Sequence, residues 1–204
     1  MTSLSMQNQF EVRTIQKLEE LNNVHTFVNE CITKVITLLS STDDKSRRIF
    51  QSSILTLINL QTILSDKLKN GKEYKYQKIV VAYDLKHKVI QAVASFKPFH
   101  ELDKKMYVEL SNIATAYWNI DCAQNLSEKY RVRGAGTSIV ESCIRFSKLI
   151  GLQGKVYLEA ADSAIVFYKK FSFRYVVSPV EEKSKEEDLF SLRRTPMILQ
   201  PIVS

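Results

Sequence analysis

Residues 131–136 read Arg-Val-Arg-Gly-Ala-Gly, and the residues behind them, 137–150, carry apolar side chains at helical spacing. Glycines at 134 and 136 let the backbone curl so that consecutive N–H groups point to one side. The N-terminus of the following helix adds about half a positive charge, and Arg131 and Arg133 flank the turn. We therefore expect this RVRGAG loop (residues 131–136) to bind an anion such as a pyrophosphate through its backbone.

The distribution of glycine supports a special backbone at this place. The 204 residues include only five glycines, and four of them, Gly134, Gly136, Gly151 and Gly154, lie in one short stretch. A chain that avoids glycine elsewhere indicates a need for unusual backbone conformations here. Gly151 is expected to end the helix that follows the loop.

On both sides of the loop the sequence alternates between helical and extended patterns. Strands are expected at residues 10–15, 78–84, 88–96, 106–118, 155–160, 173–177 and 197–203, and helices at 16–39, 45–68, 137–150 and 162–170. Residues 78–84 and 88–96 form a hairpin whose pairing Pro98 should end. Because both faces of 106–118 are apolar, that strand should be central. The order predicts a single α+β domain over 1–204, with a first strand and helical pair in 10–70 and the remaining elements in 77–204.

Composition limits the class of protein. Hydrophobic residues make up 45% and charged residues 25% of the chain, which excludes wholesale disorder. No apolar run approaches the ~18 residues of a membrane span, and the first residues lack the pattern of a secretory leader. Three scattered cysteines, Cys31, Cys122 and Cys143, have no metal-ligand spacing and predict free thiols. We expect a cytoplasmic protein without a metal site.

The net charge of +7 is concentrated in one segment. Residues 67–105 hold ten lysines and four acidic residues. This lysine-rich segment is either a solvated surface or a docking surface for an acidic partner, nucleic acid included. It contains no aromatic RNA-reading motif, so the charge leaves both interpretations open.

A second motif lies downstream of the loop, where residues 164–173 read AIVFYKKFSF. Together the two runs resemble the GNAT superfamily of N-acetyltransferases. The family's acyl-CoA loop, Arg/Gln-x-x-Gly-x-Gly/Ala, is matched by Arg131, Gly134 and Gly136. Its A-x-x-x-Y-x-x-x-G-F pattern is matched by Ala164, Tyr168 and Phe173, with Ser172 in place of the glycine.

The resemblance implies a GNAT-like mixed, mostly antiparallel central sheet flanked by helices. It also implies that acetyl-CoA or another acyl-CoA is bound and that the acyl group passes directly to an amine of a small molecule or protein. In the family, strand backbone contacts the pantetheine arm and the glycine loop contacts the pyrophosphate. The positions that correspond here are Ile113, Ala114 and Thr115 on the strand, and Arg131, Val132, Arg133, Gly134, Ala135, Gly136 and Thr137 in the loop.

The chemistry needs two proton-handling groups. A lysine-type amine has a pKa of ~10.4, so its deprotonation at pH 7 costs about 4.6 kcal/mol and calls for a base. Glu109 is the candidate base, the alternative being an ion pair with a lysine of the hairpin; Asp121 is a rival. Tyr168 occupies the family's tyrosine position and is the candidate general acid for the leaving sulfur, the alternative being a core aromatic. His25, His87 and His100 have no partner at a useful sequence spacing.

Two other functions stay open at this point. Ser172 and an alanine at 161, where many members have asparagine, fit a non-catalytic module that binds CoA or a partner on the same fold. The run ending in Ser178-Pro179 also resembles a branch that includes toxins acetylating aminoacyl-tRNA. A homodimer is left open as well. A P-loop nucleotide enzyme is poorly supported because no Gly-Lys-Ser/Thr follows the loop.

Overall fold

A computed structural model describes residues 9–40, 43–70, 77–120, 131–176 and 194–200. Its seven strands form one sheet in the order β1-β2-β3-β4-β5-β7-β6. They are β1 (Phe10–Thr14), β2 (Lys78–Asp84), β3 (Val89–Leu102), β4 (Lys105–Thr115), β5 (Val156–Ala161), β6 (Arg174–Tyr175) and β7 (Arg194–Leu199). The β4–β5 pair is parallel and the other pairs are antiparallel, so the predicted mixed, mostly antiparallel sheet is confirmed.

Four helices cover the two faces of the sheet. They are α1 (Leu18–Leu39), α2 (Asp44–Asn70), α3 (Ala135–Leu149) and α4 (Ile165–Lys169). Asp43 caps the start of α2, since its Oδ1 accepts a hydrogen bond from the Ser46 amide at 2.7 Å. Of the helices in the described ranges, none has both the length and the apolar character that crossing a membrane requires.

The core consists of two apolar layers separated by the sheet. Along β2, Val80 and Ala82 face the layer that holds α3 and α4, whereas Ile79 and Val81 face the layer that holds α1 and α2. All four side chains are at most 1% exposed. The alternation follows from the two-residue period of a strand. Burial on both faces explains why this strand reads as a nearly continuous apolar run.

The prediction that Pro98 ends the hairpin pairing is wrong. β3 continues to Leu102, and its partner β4 begins at Lys105. Lys97 pairs with Glu109 and His100 with Tyr107, so two residues of β3, Pro98 and Phe99, lie opposite one residue of β4. Pro98 therefore lies in a β-bulge, where its missing N–H interrupts no regular ladder.

The predicted ends of two other elements also differ from the structure. β4 ends at Thr115, and Trp118 lies in a short 3₁₀ turn. The chain leaves the strand because the Trp118 indole N–H turns back to donate to Gln91 Oε1 at 2.9 Å. α3 begins at Ala135, two residues before the predicted start, because the Gly134 carbonyl already accepts the first helical hydrogen bond.

Candidate functional site

β4 and β5 separate part of the way along their length. They pair from Val108 to Leu110 on β4 and from Val156 to Leu158 on β5. Beyond that point β4 pairs only with β3 and β5 only with β7. Phe96 pairs with Leu110 and Ser95 with Asn112, so Ser111 is an extra residue, a β-bulge, where the separation begins. A β-bulge bends its strand, and this one lies directly after Leu110, the last residue of β4 that pairs with β5.

A cleft of about 600 Å³ follows the separated strands. Its walls are the ends of β4 and β5, the RVRGAG loop with the first turn of α3, α4, and one side of α2. All the residues for which the resemblance implied contact with acyl-CoA line this cleft: Ile113, Ala114, Thr115, Arg131, Val132, Arg133, Gly134, Ala135, Gly136 and Thr137. The fold thus brings two predicted segments to one cavity.

The start of α3 presents unpaired backbone amides to this cleft. Gly134 is the N-cap residue, with a φ of 102°, and no side chain caps the helix. The first intrahelical hydrogen bond runs from the Ser138 amide to the Gly134 carbonyl at 2.9 Å. The N–H groups of Ala135, Gly136 and Thr137 therefore have no helical partner. They and the helix dipole together form a site for an anion.

The two glycines of the loop have different roles, which corrects the expectation that both let the backbone curl. Gly134 has the left-handed backbone, whereas Gly136 lies in the first helical turn without a positive φ. A Cβ at Gly136 would lie 3.5 Å from the ring of Phe167 and 3.9 Å from Thr115 Cγ2. Gly136 thus lets α4 and β4 pack closely against the helix start.

One amide of the loop is not available to a ligand. The Val132 N–H donates to Asn119 Oδ1 at 2.9 Å. Val132 itself is 8% exposed. The anion-binding amides therefore belong to the helix start rather than to the whole loop.

The charged side chains around the cleft favour an anionic ligand. Among the described lining residues, four are cationic, namely Arg131, Arg133, Lys170 and Arg194, and one, Glu159, is acidic. Clustered charge of one sign raises the local concentration of an oppositely charged ligand.

Tyr168 lies on α4 and lines the cleft. The residue is 5% exposed and contacts the rings of Phe167 and Phe173, with centroid distances of 5.1 and 5.8 Å. Burial raises the pKa of the Tyr168 hydroxyl well above its usual range, and the Cys143 thiol adds to the shift. The hydroxyl therefore keeps its proton at neutral pH and can donate it.

Glu109 lies beside the cleft rather than in its lining. Its carboxylate accepts hydrogen bonds from Ser111 Oγ at 2.7 Å, His100 Nδ1 at 3.1 Å and Lys97 Nζ at 3.3 Å. Burial acts to raise the pKa of Glu109, but the Ser111 hydroxyl and the Lys97 and His100 charges outweigh it and lower the pKa. The ion pair with a hairpin lysine, the alternative that the sequence left open, is present. A carboxylate with a lowered pKa is a weaker base.

Glu159 was not singled out from the sequence, yet it borders the main cleft. It also borders a recess of about 120 Å³ that contains Glu109. The Tyr157 hydroxyl donates to Glu159 Oε1 at 3.2 Å. Since the side chain is exposed and reaches both cavities, Glu159 is a second carboxylate available for proton transfer. Asp121, the rival candidate, lies outside the described residues.

Asn112 is another residue that the sequence did not reveal. It lines the cleft, is 8% exposed, and donates from Nδ2 to Ser95 Oγ at 3.1 Å. Its Oδ1 is buried and has no hydrogen-bond partner within the described structure. A buried acceptor without a partner costs free energy, which a donor group of a ligand in the cleft would relieve.

The three histidines, for which the sequence indicated no partner at a useful spacing, each have one in the structure. His87 Nδ1 donates to Asp84, His100 donates to Glu109, and His25 Nε2 lies 3.1 Å from Ser65 Oγ. The partners of His25 and His100 are distant in sequence, whereas Asp84 lies three residues before His87.

The lysine-rich segment is described only in part, since its residues 71–76 lie outside the described ranges. Lys97 pairs with Glu109, and Lys78 Nζ lies 5.4 Å from the centre of the Phe146 ring. Binding of nucleic acid to this segment stays a prediction, as does a homodimer.

Comparisons with known proteins bear on the fold. No protein-family model matches the sequence, and no curated protein matches it either. The spermidine/spermine N-acetyltransferase of Vibrio cholerae, in crystals of mutant forms, has a TM-score of 0.50 at 12% identity over 94% of each chain. A predicted acetyltransferase of Clostridium acetobutylicum, crystallised with acetyl-CoA, has a TM-score of 0.48 at 14% identity over 85% of this chain and 96% of its own. The glucosamine-6-phosphate N-acetyltransferase of Arabidopsis thaliana has a TM-score of 0.48 at 14% identity over 89% of this chain and 100% of its own.

At such identities the likeness concerns the fold, and the first of these three structures supports it. The sheet order and the helices on both faces agree with that likeness. The protein has the fold of the GNAT N-acetyltransferases, as the two sequence motifs implied.

Proposed function

We propose that the protein is an N-acyltransferase that moves an acyl group, in the simplest case acetyl, from acyl-CoA directly to an amine. One observation carries the proposal: the unpaired amides at the start of α3 open onto the cleft between β4 and β5, and Tyr168 lines the same cleft. An anion site, an extended slot and a proton donor are what a thioester carrier with a diphosphate requires.

The residues of the cleft fit acyl-CoA. Ala135, Gly136 and Thr137 would hold the pyrophosphate through their amides, with the cationic side chains nearby. The backbone of Ile113–Thr115, beyond the point where β4 leaves β5, would hold the pantetheine arm. When bound, acyl-CoA supplies the activated acyl group. The unpartnered Asn112 Oδ1 would accept a hydrogen bond from a donor of the bound molecules.

The chain's own residues handle the protons. The Tyr168 hydroxyl is protonated at neutral pH, as a tyrosine ordinarily is, and can give its proton to the departing sulfur. Burial raises its pKa and so makes it a weaker acid, which means that the transfer depends on the negative charge that develops on the sulfur. An ammonium acceptor must first lose a proton to a carboxylate, directly or through water. We assign this role to Glu159, which lines the cleft, with Glu109 as the alternative because its carboxylate is already paired.

Two assays test the function. Calorimetry should detect binding of CoA, and release of free thiol from acetyl-CoA should accelerate when a suitable amine is added. The amine panel should include spermidine, glucosamine 6-phosphate and lysine-containing peptides. Binding of CoA without turnover on any amine would support the non-catalytic module instead. If the folded protein ignores CoA, the proposal is wrong.

The assignment of the base gives a prediction for two matched variants. Glu159→Gln should lower kcat at least about tenfold near pH 7, because loss of a general base typically costs a factor of 10²–10⁴ and water replaces part of it. Glu109→Gln removes the other carboxylate of the recess and should change kcat by less than about threefold. Thiol release measured from pH 6 to 9 checks both. A larger loss in Glu109→Gln than in Glu159→Gln would return the role to Glu109.

A further inference from the structure

A network of hydrogen-bonded polar side chains, formed by Asp84, Gln91 and Asn119, connects the turn between β2 and β3 to the RVRGAG loop. Its inner members, Asp84 and Gln91, are 0% exposed. Buried polar groups in proteins are almost always paired, and a chain in which each pairs with the next holds one arrangement. Nothing in the proposed reaction uses these side chains directly.

The hydrogen-bond network begins at the Asp84 carboxylate, which stays ionised. Asp84 accepts hydrogen bonds from His87 Nδ1 and from the Lys86 and His87 amides. Burial acts to raise the pKa of Asp84, but these hydrogen bonds outweigh it and lower the pKa. An ionised carboxylate only accepts, so the group of Gln91 that faces Asp84 Oδ2, at 3.4 Å, must be its Nε2 amide.

The contact between Gln91 and Asp84 fixes the orientation of the Gln91 side-chain amide. Gln91 Oε1 faces away from Asp84 and accepts from Trp118 Nε1 at 2.9 Å and from Asn119 Nδ2 at 2.6 Å. The indole N–H can only donate, which independently requires the oxygen of Gln91 at this place. Because the Nδ2 of Asn119 faces Gln91, its Oδ1 faces the RVRGAG loop, where the Val132 amide donates to it at 2.9 Å.

We infer that Asn119 is a positioning residue for acyl-CoA, oriented by Gln91 and Asp84, that holds Val132 so that Gly134 and the start of α3 face the cleft. This inference rests on the proposed function. Val132 lies two residues before Gly134, whose left-handed backbone turns the chain into the helix. Asn119 also lines the cleft, and it anchors the loop from the end of β4. No side chain caps α3, and the hydrogen bond from the Val132 amide to Asn119 lies two residues before its N-cap.

The test compares two variants by calorimetric titration with CoA. Asn119→Leu keeps the bulk but removes the acceptor for Val132, and the dissociation constant should rise about tenfold. Ser147→Ala is the matched control. Ser147 is buried, whereas Asn119 is partly buried, and Ser147 donates to the Lys155 carbonyl at 2.8 Å, near the far end of α3. This control should bind CoA within about twofold of the wild type even if its melting temperature falls equally.

Kinetics separate positioning from a general loss of structure. Asn119→Leu should raise the KM for acetyl-CoA about tenfold and leave kcat within about twofold, because Tyr168 and Glu159 are untouched. If the wild type binds CoA and Asn119→Leu binds it equally well, the inference is wrong while the proposed function stands. Equal losses in Asn119→Leu and Ser147→Ala would also overturn it.

Amide hydrogen exchange provides a readout without ligand. The Val132 amide lies outside regular secondary structure, yet in the wild type it should exchange as slowly as helical amides of α3. In Asn119→Leu it should exchange at least about tenfold faster. Fast exchange of Val132 in the wild type overturns the inference even if CoA binds. If CoA does not bind, the proposed function fails and this measurement alone decides whether Asn119 holds the loop.

Discussion

Tyr168→Phe is expected to lower kcat for thiol release about 100-fold and to leave the affinity for CoA within about twofold of the wild type. The substitution removes one hydroxyl and keeps the ring that packs between Phe167 and Phe173. The departing sulfur then loses its proton donor, while the amides at the start of α3 are unchanged. Thiol release at saturating acetyl-CoA measures the first effect, and calorimetry measures the second.

Tyr107→Phe is the control for this prediction. Tyr107 is also buried, at 1% exposure, and its hydroxyl accepts a hydrogen bond from Gln200 Nε2 at 2.8 Å. It does not line the cleft. Loss of this hydroxyl should change stability but not kcat. If Tyr168→Phe retains full kcat, Tyr168 is only a core aromatic, and another group must protonate the sulfur.

Gly134→Ala is expected to weaken CoA binding about 30-fold, the equivalent of about 2 kcal/mol of backbone strain. The φ of Gly134 is 102°, a conformation that L-residues rarely adopt, and a Cβ there would lie 3.4 Å from the ring of Phe10. Relief of the strain would rotate the peptide groups that open α3 and turn its amides away from the cleft. Calorimetric titration with CoA measures the loss.

Gly151→Ala separates the effect on the site from the effect on the fold. Gly151 also has a left-handed backbone, with a φ of 82°, and no atom lies within 4 Å of a Cβ placed there. It follows the far end of α3, so its strain should lower the melting temperature without changing CoA affinity. Equal losses of CoA affinity in both variants would contradict the role of Gly134.

The local elements were predictable because they depend on neighbours in sequence. The helical spacing in α1 and α2 follows from one apolar stripe per helix. The β2–β3 hairpin follows from two runs rich in β-branched and aromatic residues with a short connection between them. The placement of the RVRGAG loop at a turn that opens a helix was predictable for the same reason, while contact of its residues with acyl-CoA stays a prediction. All residues of the loop line the cleft.

Features that depend on pairing between distant strands were not predictable. The bulge at Ser111, and with it the separation of β4 from β5, depends on how β4 aligns with β3. Which lysine of the hairpin pairs with Glu109, and the orphaned acceptor of Asn112, follow from the same alignment. Local sequence contains no signal for these contacts because the partners are brought together only by the sheet.

The extra residues on the two sides of the β3–β4 hairpin cancel each other. Ala92 pairs with Thr115 and Leu102 with Lys105 at the same offset, while the pairs between the two bulges are shifted by one position. The shift in pairing is thus confined to the section of β3 and β4 between the two bulges, and the pairing next to the turn at Asp103 and Lys104 is unchanged. Deletion of Ser111 alone should therefore keep the side chains from Lys105 to Leu110 on their present faces, because Leu110 would still pair with Phe96 and the alternation along β4 would become regular. The deletion should straighten β4 at the point where it leaves β5.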